Sequence, residues 1–216
     1  ESEFALRKER PANEYRDSLS AVNRETEHMT SIVEDLLLLA RAEAQSVALN
    51  WEKLTLEEFV VKLVTSVKPI FDQRSVSLTV HNPAKHSFFE SSPGHLSLAL
   101  KNILLNAAKH SEQGNKVIFD IQHLKQSQVA FKVRDYGEGI PPGDLPYVFD
   151  PFFRSDTARN RKSGGAGIGL SLAKALIRLH SGDISVSSTP GEGTEFIATI
   201  APRGHKVLDP DQEEPF

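Results

Sequence analysis

Three clusters of residues in this chain have the types and spacing that nucleotide chemistry requires. The first is Asn102, Asn106 and Lys109, whose steps of four and three place them on one face of a helix. An amide oxygen can ligate Mg²⁺, and a lysine ammonium can neutralise the polyphosphate that such a metal bridges. Amides on a helix can also simply face solvent. Apolar neighbours such as Leu105 and Ala107 predict a largely buried helix, where unpaired amides cost free energy, and so favour function.

The second cluster follows a predicted strand and comprises Asp135, Gly137, Gly139 and Ile140. A carboxylate in this position can accept a hydrogen bond from the exocyclic amino group of adenine. The glycines let the backbone pass close to the ring, and Ile140 offers an apolar wall. The same sequence is also common in simple tight turns, and on its own the cluster leaves that alternative open.

The third cluster is the glycine-rich stretch from Gly164 to Gly169, directly before an amphipathic helix. Free backbone amides at a helix N-terminus, with no Cβ to obstruct them, form an anion site. The spacing matches neither a Walker loop nor a Rossmann turn. The preceding loop contains four basic residues, Arg154, Arg159, Arg161 and Lys162. They either hold phosphates or simply keep the loop solvated, and for any single one of them solvation is favoured.

These clusters must be positioned by regular elements, which apolar periodicity predicts. The predicted helices span 55 to 67, 93 to 110 and 167 to 180. The predicted strands lie near 47 to 51, 76 to 80, 88 to 90, 116 to 123, 128 to 134, 182 to 188 and 194 to 200. Alternation of helices with hairpin-paired strands predicts a two-layer α/β sandwich with a mixed sheet. Thr55 and Glu58 predict a capping box at the start of the first of these helices.

A long helix is predicted ahead of the sandwich. Apolar or small residues recur there at alternating steps of four and three: Tyr15, Leu19, Val22, Thr26, Met29, Val33, Leu36 and Ala40. Such a heptad seam is typical of a bundle helix that needs partner helices. The alternative is a long helix that packs on its own domain.

The composition is that of an ordinary soluble globular protein. A net charge of −4 argues mildly against nucleic acid or an anionic membrane as the main partner, and we expect no nucleic acid partner. The sequence contains no cysteine, which excludes disulfides and thiolate metal sites. The longest apolar run, Leu36 to Ala40, is too short to span a bilayer, so we expect a soluble chain.

With these motifs in hand, the chain resembles the catalytic, ATP-binding half of bacterial sensor histidine kinases. These proteins share the Bergerat fold with gyrase-type ATPases and heat-shock chaperones. Five motifs in order carry the resemblance over residues of about 46 to 202: an asparagine box at 102 to 109, a first glycine box at 134 to 140, a phenylalanine box at 148 to 154, a second glycine box at 164 to 173, and a last glycine box at 191 to 196. The stretch at 35 to 41 is similar to the end of the second helix of the family's dimerisation bundle.

The resemblance implies ATP and Mg²⁺ as ligands. It assigns adenine recognition to Asp135 with Thr194 nearby, metal ligation to Asn106, and catalytic roles to Asn102 and Lys109. Phosphate contact falls to Lys109, Arg154 and the amides of Gly167, Gly169 and Leu170. The remaining implied nucleotide contacts are Asn102, Asn106, His110, Gly137, Gly139, Ile140, Phe153, Gly165 and Ile168. A mobile lid is expected over roughly 149 to 166.

One position favours phosphoryl transfer over hydrolysis. Gyrase-type ATPases carry a glutamate four residues before the metal-binding asparagine, where it activates the attacking water. Here that position is Asn102, and an amide cannot serve as a general base. A DNA-linked ATPase is disfavoured accordingly. A nucleotide-gated signalling module, or a degenerate kinase without transfer activity, remains the alternative.

The chain departs from the family pattern at two points. Most members have Tyr or Phe after the box lysine, where this chain has His110. We expect His110 still to contact the nucleotide. A histidine that only makes hydrogen bonds to its local surroundings is nearly as well supported. The family's phosphoacceptor is a histidine followed by Glu or Asp and an ArgThrPro-like stretch, and none of the eight histidines has this context. We therefore expect the chain to begin inside or just after the first bundle helix, with the acceptor lost by truncation.

Three segments are predicted. Residues 1 to 45 form part of a helical dimerisation and histidine-phosphotransfer domain, 46 to 202 the catalytic ATP-binding domain, and 203 to 216 an acidic, disordered tail. The resemblance further implies a response regulator receiver domain as partner and a homodimer formed through the bundle. It implies a cytoplasmic location in an inner-membrane sensor protein.

Overall fold

The computed structural model describes residues 11–82, 87–124, 128–154 and 166–201. The helices are α1 (Ala12–Glu43), α2 (Leu56–Gln73), α3 (Pro93–His110) and α4 (Gly169–Leu179). The strands are β1 (Glu52–Thr55), β2 (Ser77–His81), β3 (Phe88–Ser91), β4 (Lys116–His123), β5 (Val129–Asp135), β6 (Asp183–Thr189) and β7 (Gly193–Ile200). A single 3₁₀ turn, Leu145–Tyr147, interrupts the loop after β5. The acidic tail and part of the expected lid lie outside the described residues.

Five strands form one sheet in the order β2-β4-β5-β7-β6. β2 pairs with β4 in parallel, and the other neighbours are antiparallel, so the sheet is mixed. On β4, Val117, Phe119 and Ile121 are fully buried while the residues between them are not, because successive side chains of a strand point to opposite faces. This confirms the predicted α/β fold with a mixed sheet.

The core lies between this sheet and helices α2, α3 and α4. Leu100, Ile103 and Leu104 of α3 are buried, as their spacing on one helical face requires. Phe119 and Phe131 stack with ring centroids 6.2 Å apart on the facing side of the sheet. Each such side chain stabilises the fold by roughly 1.5–3 kcal/mol through burial, which fixes α3 against the sheet.

The start of α2 follows the predicted cap, but the strand predicted before it is wrong. The Oγ1 of Thr55 accepts the N–H of Glu58 at 3.2 Å, as an N-cap threonine should. Residues 47 to 51 are not a strand, and β1 begins only at Glu52, where its four residues pair with β3. Apolar alternation at 47 to 51 also suits an irregular segment lying on the core, and Val47 does pack there. A strand needs a backbone partner, and β3 offers one only to 52 to 55.

Helix α1 is long, as predicted, and is attached to the sandwich only through its C-terminal half. Leu39 and Ala42 are buried, and Ile32 and Leu36 pack on the same core. Much of the heptad seam is exposed; Leu19 exposes 68% of its surface. None of the helices within the described ranges is both long and apolar enough to cross a membrane.

Candidate functional site

A cavity of about 450 Å³ opens between α3, the loop after β5, the start of α4 and the inner face of α1. This volume is in the range of small-molecule sites. Fourteen of the residues assigned from the sequence line it: Asn102, Asn106, Lys109, His110, Asp135, Gly139, Ile140, Phe153, Arg154, Gly167, Ile168, Gly169, Leu170 and Thr194. Gly137 lies behind the wall rather than on it, and Gly165 falls outside the described residues.

Asp135 is the most constrained group of the site. It ends β5, exposes 2% of its surface, and its Oδ1 accepts the N–H of Gly137 at 3.0 Å and that of Thr194 at 3.1 Å. Burial raises the pKa of the Asp135 carboxyl above its ordinary value, while the two N–H bonds act in the opposite direction. The carboxylate thus joins the end of β5 to the start of β7 at the cavity wall.

Gly137 and Gly139 are needed because other backbone segments approach them closely. A Cβ on Gly137 would collide with the carbonyl oxygen of His110 at the end of α3. Gly139 has a φ of +71°, and a Cβ there would meet the carbonyl oxygen of Thr189. The loop after β5 is therefore pressed against both α3 and the β6–β7 turn, which gives the cavity wall a fixed position.

Ser188 of β6, which no sequence motif predicts, supports the cavity wall from behind through its hydroxyl. Its Oγ accepts the N–H of Ile140 at 2.8 Å, donates to the carbonyl of Gly193 at 2.9 Å and lies 2.9 Å from the Oγ1 of Thr194. Thr194 faces it directly in the register of β6 and β7. Recognising Ser188 from sequence requires that register, because Ser188 and Thr194 are six positions apart and lie on different strands joined by a turn.

The side-chain amides of the site, those of Asn102 and Asn106, lie on α3. Nδ2 of Asn102 is buried and has no hydrogen-bond partner among the residues that the structure describes. A buried amide donor without a partner costs roughly 1–3 kcal/mol, which is a reason to look for a ligand that satisfies it. Asn102 lies against the start of α4, since a Cβ on Gly169 would come within 3.3 Å of its Oδ1. Asn106 and Lys109 line the same cavity on the same helical face.

The start of α4 supplies backbone N–H groups. The helix begins at Gly169, and the side chain of Ile168 makes no cap bond to its first amides. Gly167, with φ of +77°, turns the chain into the helix and its carbonyl accepts the N–H of Phe152 at 2.9 Å. A helix N-terminus carries partial positive charge and favours phosphate.

His110 closes one corner of the cavity. Its Nδ1 lies 3.0 Å from an Oε1 of Glu138, which joins the end of α3 to the loop after β5. Both side chains remain partly exposed, at 26% and 33%. The structure therefore gives His110 a local partner and also places it on the cavity, so both alternatives for this residue stand.

Helix α1 contributes a further wall of the cavity, which no sequence motif predicts. His28, Ser31, Ile32 and Asp35 of α1 line the cavity. Burial, and then the neighbouring Glu34, raise the pKa of the Asp35 carboxyl. The four residues are spaced three, one and three apart, which marks one helical face, but nothing local says which face docks on the sandwich.

The side chains of the cavity suit a metal ion that is held mainly by the phosphates of a bound molecule and by water, and only to a small extent by the protein. Within the described part of the chain, no three His, Cys, Asp or Glu side chains converge as a metal-binding group. Mg²⁺ is commonly held by one or two protein oxygens together with phosphates and water, and a single amide such as Asn106 fits that pattern. The cavity can thus hold a purine beside Asp135 and a phosphate chain between α3 and α4.

Comparison with known proteins places this geometry in one family. Residues 91–204, more than half of the chain, match the family described as histidine kinase-, DNA gyrase B-, and HSP90-like ATPases. The sensor histidine kinase WalK of Bacillus subtilis (strain 168) is 32% identical over 195 residues, which are 90% of this chain. The matched region is 32% of WalK, so the chain spans about a third of that relative's length.

Solved structures agree on the fold. The histidine kinase AdeS of Acinetobacter baumannii superposes with a TM-score of 0.72 and 21% identity, covering 93% of this chain and 90% of AdeS. Full-length ShkA in complex with AMPPNP gives a TM-score of 0.76 and 23% identity, covering 93% of this chain and 41% of ShkA. The chain therefore belongs to the family of histidine kinase-, DNA gyrase B- and HSP90-like ATPases.

Proposed function

We propose that this chain is the ATP-binding catalytic part of a sensor histidine kinase, which donates the γ-phosphoryl group of ATP to a histidine of a dimerisation domain. The observation that carries the proposal is the pairing, in one cavity, of a buried carboxylate acceptor, Asp135, with a buried amide donor, Asn102. The first suits the base of ATP and the second its phosphates. The structure of ShkA in complex with AMPPNP, an ATP analogue, has the same fold.

Adenine is expected beside Asp135. Because Oδ1 holds the two backbone N–H groups, the second carboxylate oxygen is the one that would accept from the exocyclic amino group. Thr194 lines the same wall and Ile140 contributes its apolar side. The buried carboxylate thereby gains a donor that compensates for its loss of water.

The phosphate chain is expected between α3 and α4. Nδ2 of Asn102, the ammonium of Lys109 and the first amides of α4 would donate to it, and Arg154 would add positive charge. Asn106 would hold Mg²⁺, which when bound supplies positive charge against the phosphate oxygens. Phosphoryl transfer depends mainly on such positioning and charge neutralisation, and these side chains provide both.

Transfer to a protein is proposed in place of hydrolysis because the position of α3 that lies against Gly169 carries Asn102, an amide, rather than a carboxylate that could act as a general base. None of the eight histidines has the family's acceptor context, so the acceptor would come from elsewhere.

The exposed seam of α1, with Leu19, Met29 and Val33, would pack in the bundle of a homodimer. A receiver domain of a response regulator and a cytoplasmic location in a membrane sensor belong to the same proposal.

One observation favours a second candidate, a nucleotide-gated signalling module without transfer activity. His28 and Asp35 of α1 face the cavity, so a bound nucleotide would act directly on the position of the helix. The two candidates predict the same nucleotide binding. They differ only in whether the γ-phosphoryl group leaves ATP.

Binding is tested by calorimetric titration of the 216-residue chain with ADP and a non-hydrolysable ATP analogue, with and without Mg²⁺. We expect binding by the wild type and at least tenfold weaker binding by Asp135→Asn, since the amide offers the base a donor where it needs an acceptor. Asp183→Asn, an exposed position on β6, is the matched control. Failure of both nucleotides to bind the wild type would overturn the proposal.

Transfer is tested separately with ATP labelled on its γ-phosphate. The chain alone should remain unlabelled, and an added intact histidine bundle domain should become labelled on histidine. Labelling of the bundle excludes the signalling module. Histidine labelling of the chain alone would contradict the expectation that the acceptor lies elsewhere.

A further inference from the structure

The hydroxyl of Ser188 occupies a junction of three hydrogen-bonding groups next to the proposed base site. The N–H of Ile140 lies 2.8 Å from its Oγ, the carbonyl oxygen of Gly193 2.9 Å and the Oγ1 of Thr194 2.9 Å. These partners come from the loop after β5 and from the first two residues of β7. Ser188 therefore connects the two segments that form the wall around Asp135.

The single proton of a hydroxyl decides the direction of these bonds. The N–H of Ile140 can only donate, and the carbonyl of Gly193 can only accept. If Ser188 gave its proton to Thr194, lone pairs of Ser188 and Gly193 would face each other at 2.9 Å, which is repulsive. Ser188 therefore donates to Gly193, and Thr194 must donate its own proton to Ser188.

Thr194 lines the cavity, and with its proton given to Ser188 its hydroxyl has only lone pairs left to offer a ligand. Asp135, beside it, is a carboxylate and also only accepts when ionised. The side chains of this wall therefore offer two acceptors, fixed by backbone and hydroxyl contacts that do not depend on a ligand. Where the C6 substituent of a base meets this wall, two acceptors favour an amino group, which donates, over a carbonyl oxygen, which cannot.

We propose that Ser188 is a specificity-determining positioning residue. By holding the Thr194 hydroxyl as an acceptor, it makes the site select a purine with an amino group at C6 over one with a carbonyl there. This inference rests on the proposed function and refines it. Without Ser188, the Thr194 hydroxyl can rotate and donate to a C6 carbonyl, so discrimination falls even though Asp135 is unchanged.

ADP and inosine diphosphate are the probes, because their bases differ only in the C6 substituent and the protonation of N1. Calorimetric titration with each, in Mg²⁺, gives the ratio of the two dissociation constants. We expect Ser188→Ala to lower the preference for ADP about tenfold, the value of one redirected hydrogen bond. Ser187→Ala, at the exposed neighbouring position of β6, should leave the ratio at its wild-type value. A merely structural role would weaken both ligands alike, and an unchanged ratio in Ser188→Ala overturns the proposal.

A second variant keeps the inference testable should Ser188→Ala not fold. Thr194→Val removes the acceptor and should lower the ADP preference by a similar factor, whereas an unchanged ratio overturns the proposal. Because Ser188 acts through Thr194, adding Ser188→Ala to Thr194→Val should leave the ratio of the single Thr194 variant unchanged. If the two substitutions instead changed the ratio of dissociation constants by independent factors that multiply, the result would contradict this inference. A wild type that binds neither nucleotide would overturn the proposed function and this inference with it, while ADP binding with unchanged ratios would overturn this inference alone.

Discussion

Oδ1 of Asp135 accepts the backbone N–H of Thr194 at 3.1 Å across 59 residues of sequence. The bond joins two adjacent strands at the point where both meet the cavity. One carboxylate thus holds the wall together and, in the proposed function, reads the base. Recognition and stability conflict at this residue. A carboxylate that is enclosed to recognise the base loses its hydration, and this loss destabilises the folded chain when the group is ionised.

This conflict predicts that Asp135→Asn is more stable than the wild type at neutral pH. Burial raises the pKa of Asp135 in the folded chain above its ordinary value of 3.8, so its contribution to stability is full below that value and is lost as the pH rises through the folded pKa. An asparagine keeps an oxygen for both N–H groups and carries no charge. Thermal unfolding at a series of pH values should show a higher Tm for the variant at pH 7.

The difference in Tm should close as the pH falls below 3.8, since the aspartate is then protonated in both the folded and the unfolded state. The exposed Asp183→Asn serves as control and should show no such pH-dependent gap. A Tm of Asp135→Asn below that of the wild type at pH 7 would mean that the charge stabilises this wall, contrary to the argument.

Gly137 tests how closely the loop after β5, which forms part of the same wall, packs on α3. A Cβ there would collide with the carbonyl of His110, so Gly137→Ala must push the loop after β5 away from α3. We expect a loss of stability on the order of 2 kcal/mol and at least tenfold weaker ADP binding, measured by denaturant unfolding and calorimetry. Gly143→Ala is the control, because a Cβ there meets nothing within 4 Å. Equal behaviour of the two variants would refute the close packing of loop and helix.

The sequence predicted those parts of the site whose geometry is local. Asn102, Asn106 and Lys109 share a face because helical spacing alone dictates it, and the structure brings all three to one cavity. The approach of Thr194 to Asp135 has no local cause. It was expected only through resemblance to a family whose motifs were already known to meet.

What the sequence could not predict depends on pairing between distant segments. Ser188 reaches Ile140 only because β6 follows β7 in the sheet order, and Asp35 reaches the cavity only because of how α1 docks. The strand expected at 47 to 51 was wrong for the same reason, since alternation says nothing about the availability of a backbone partner. Periodicity reports which side chains share a face, and it does not say which element that face will meet.

Asn106 predicts how nucleotide binding responds to metal removal. If its amide holds Mg²⁺ on the phosphates, the wild type should bind ADP several-fold more tightly with Mg²⁺ than with a chelator. Asn106→Ala should lose this enhancement and keep the metal-free affinity. Asn102→Ala is the contrasting variant, expected to weaken binding under both conditions because its Nδ2 would donate to phosphate directly. A metal enhancement that survives in Asn106→Ala would remove Asn106 as the ligand.

His180 predicts a loss of stability in mild acid that is separate from the nucleotide site. It is fully buried between α4 and the start of α3, where its Nε2 accepts the N–H of Ser92 at 3.1 Å and its Nδ1 donates to the carbonyl of Leu176 at 2.8 Å. Both bonds require the neutral ring in this tautomer. Burial lowers the pKa of His180 from its ordinary value of 6.5.

Because the folded pKa lies below the unfolded one, the contribution of His180 to stability is full above pH 6.5 and is lost as the pH falls through the folded pKa. Denaturant unfolding between pH 8 and pH 5 should show this decline. His180→Gln should cost about 2 kcal/mol at pH 8 and flatten the curve, since the titrating ring is gone. His123→Gln, on the exposed end of β4, should keep the wild-type slope. An unchanged slope in His180→Gln would show that another group unfolds the chain in acid.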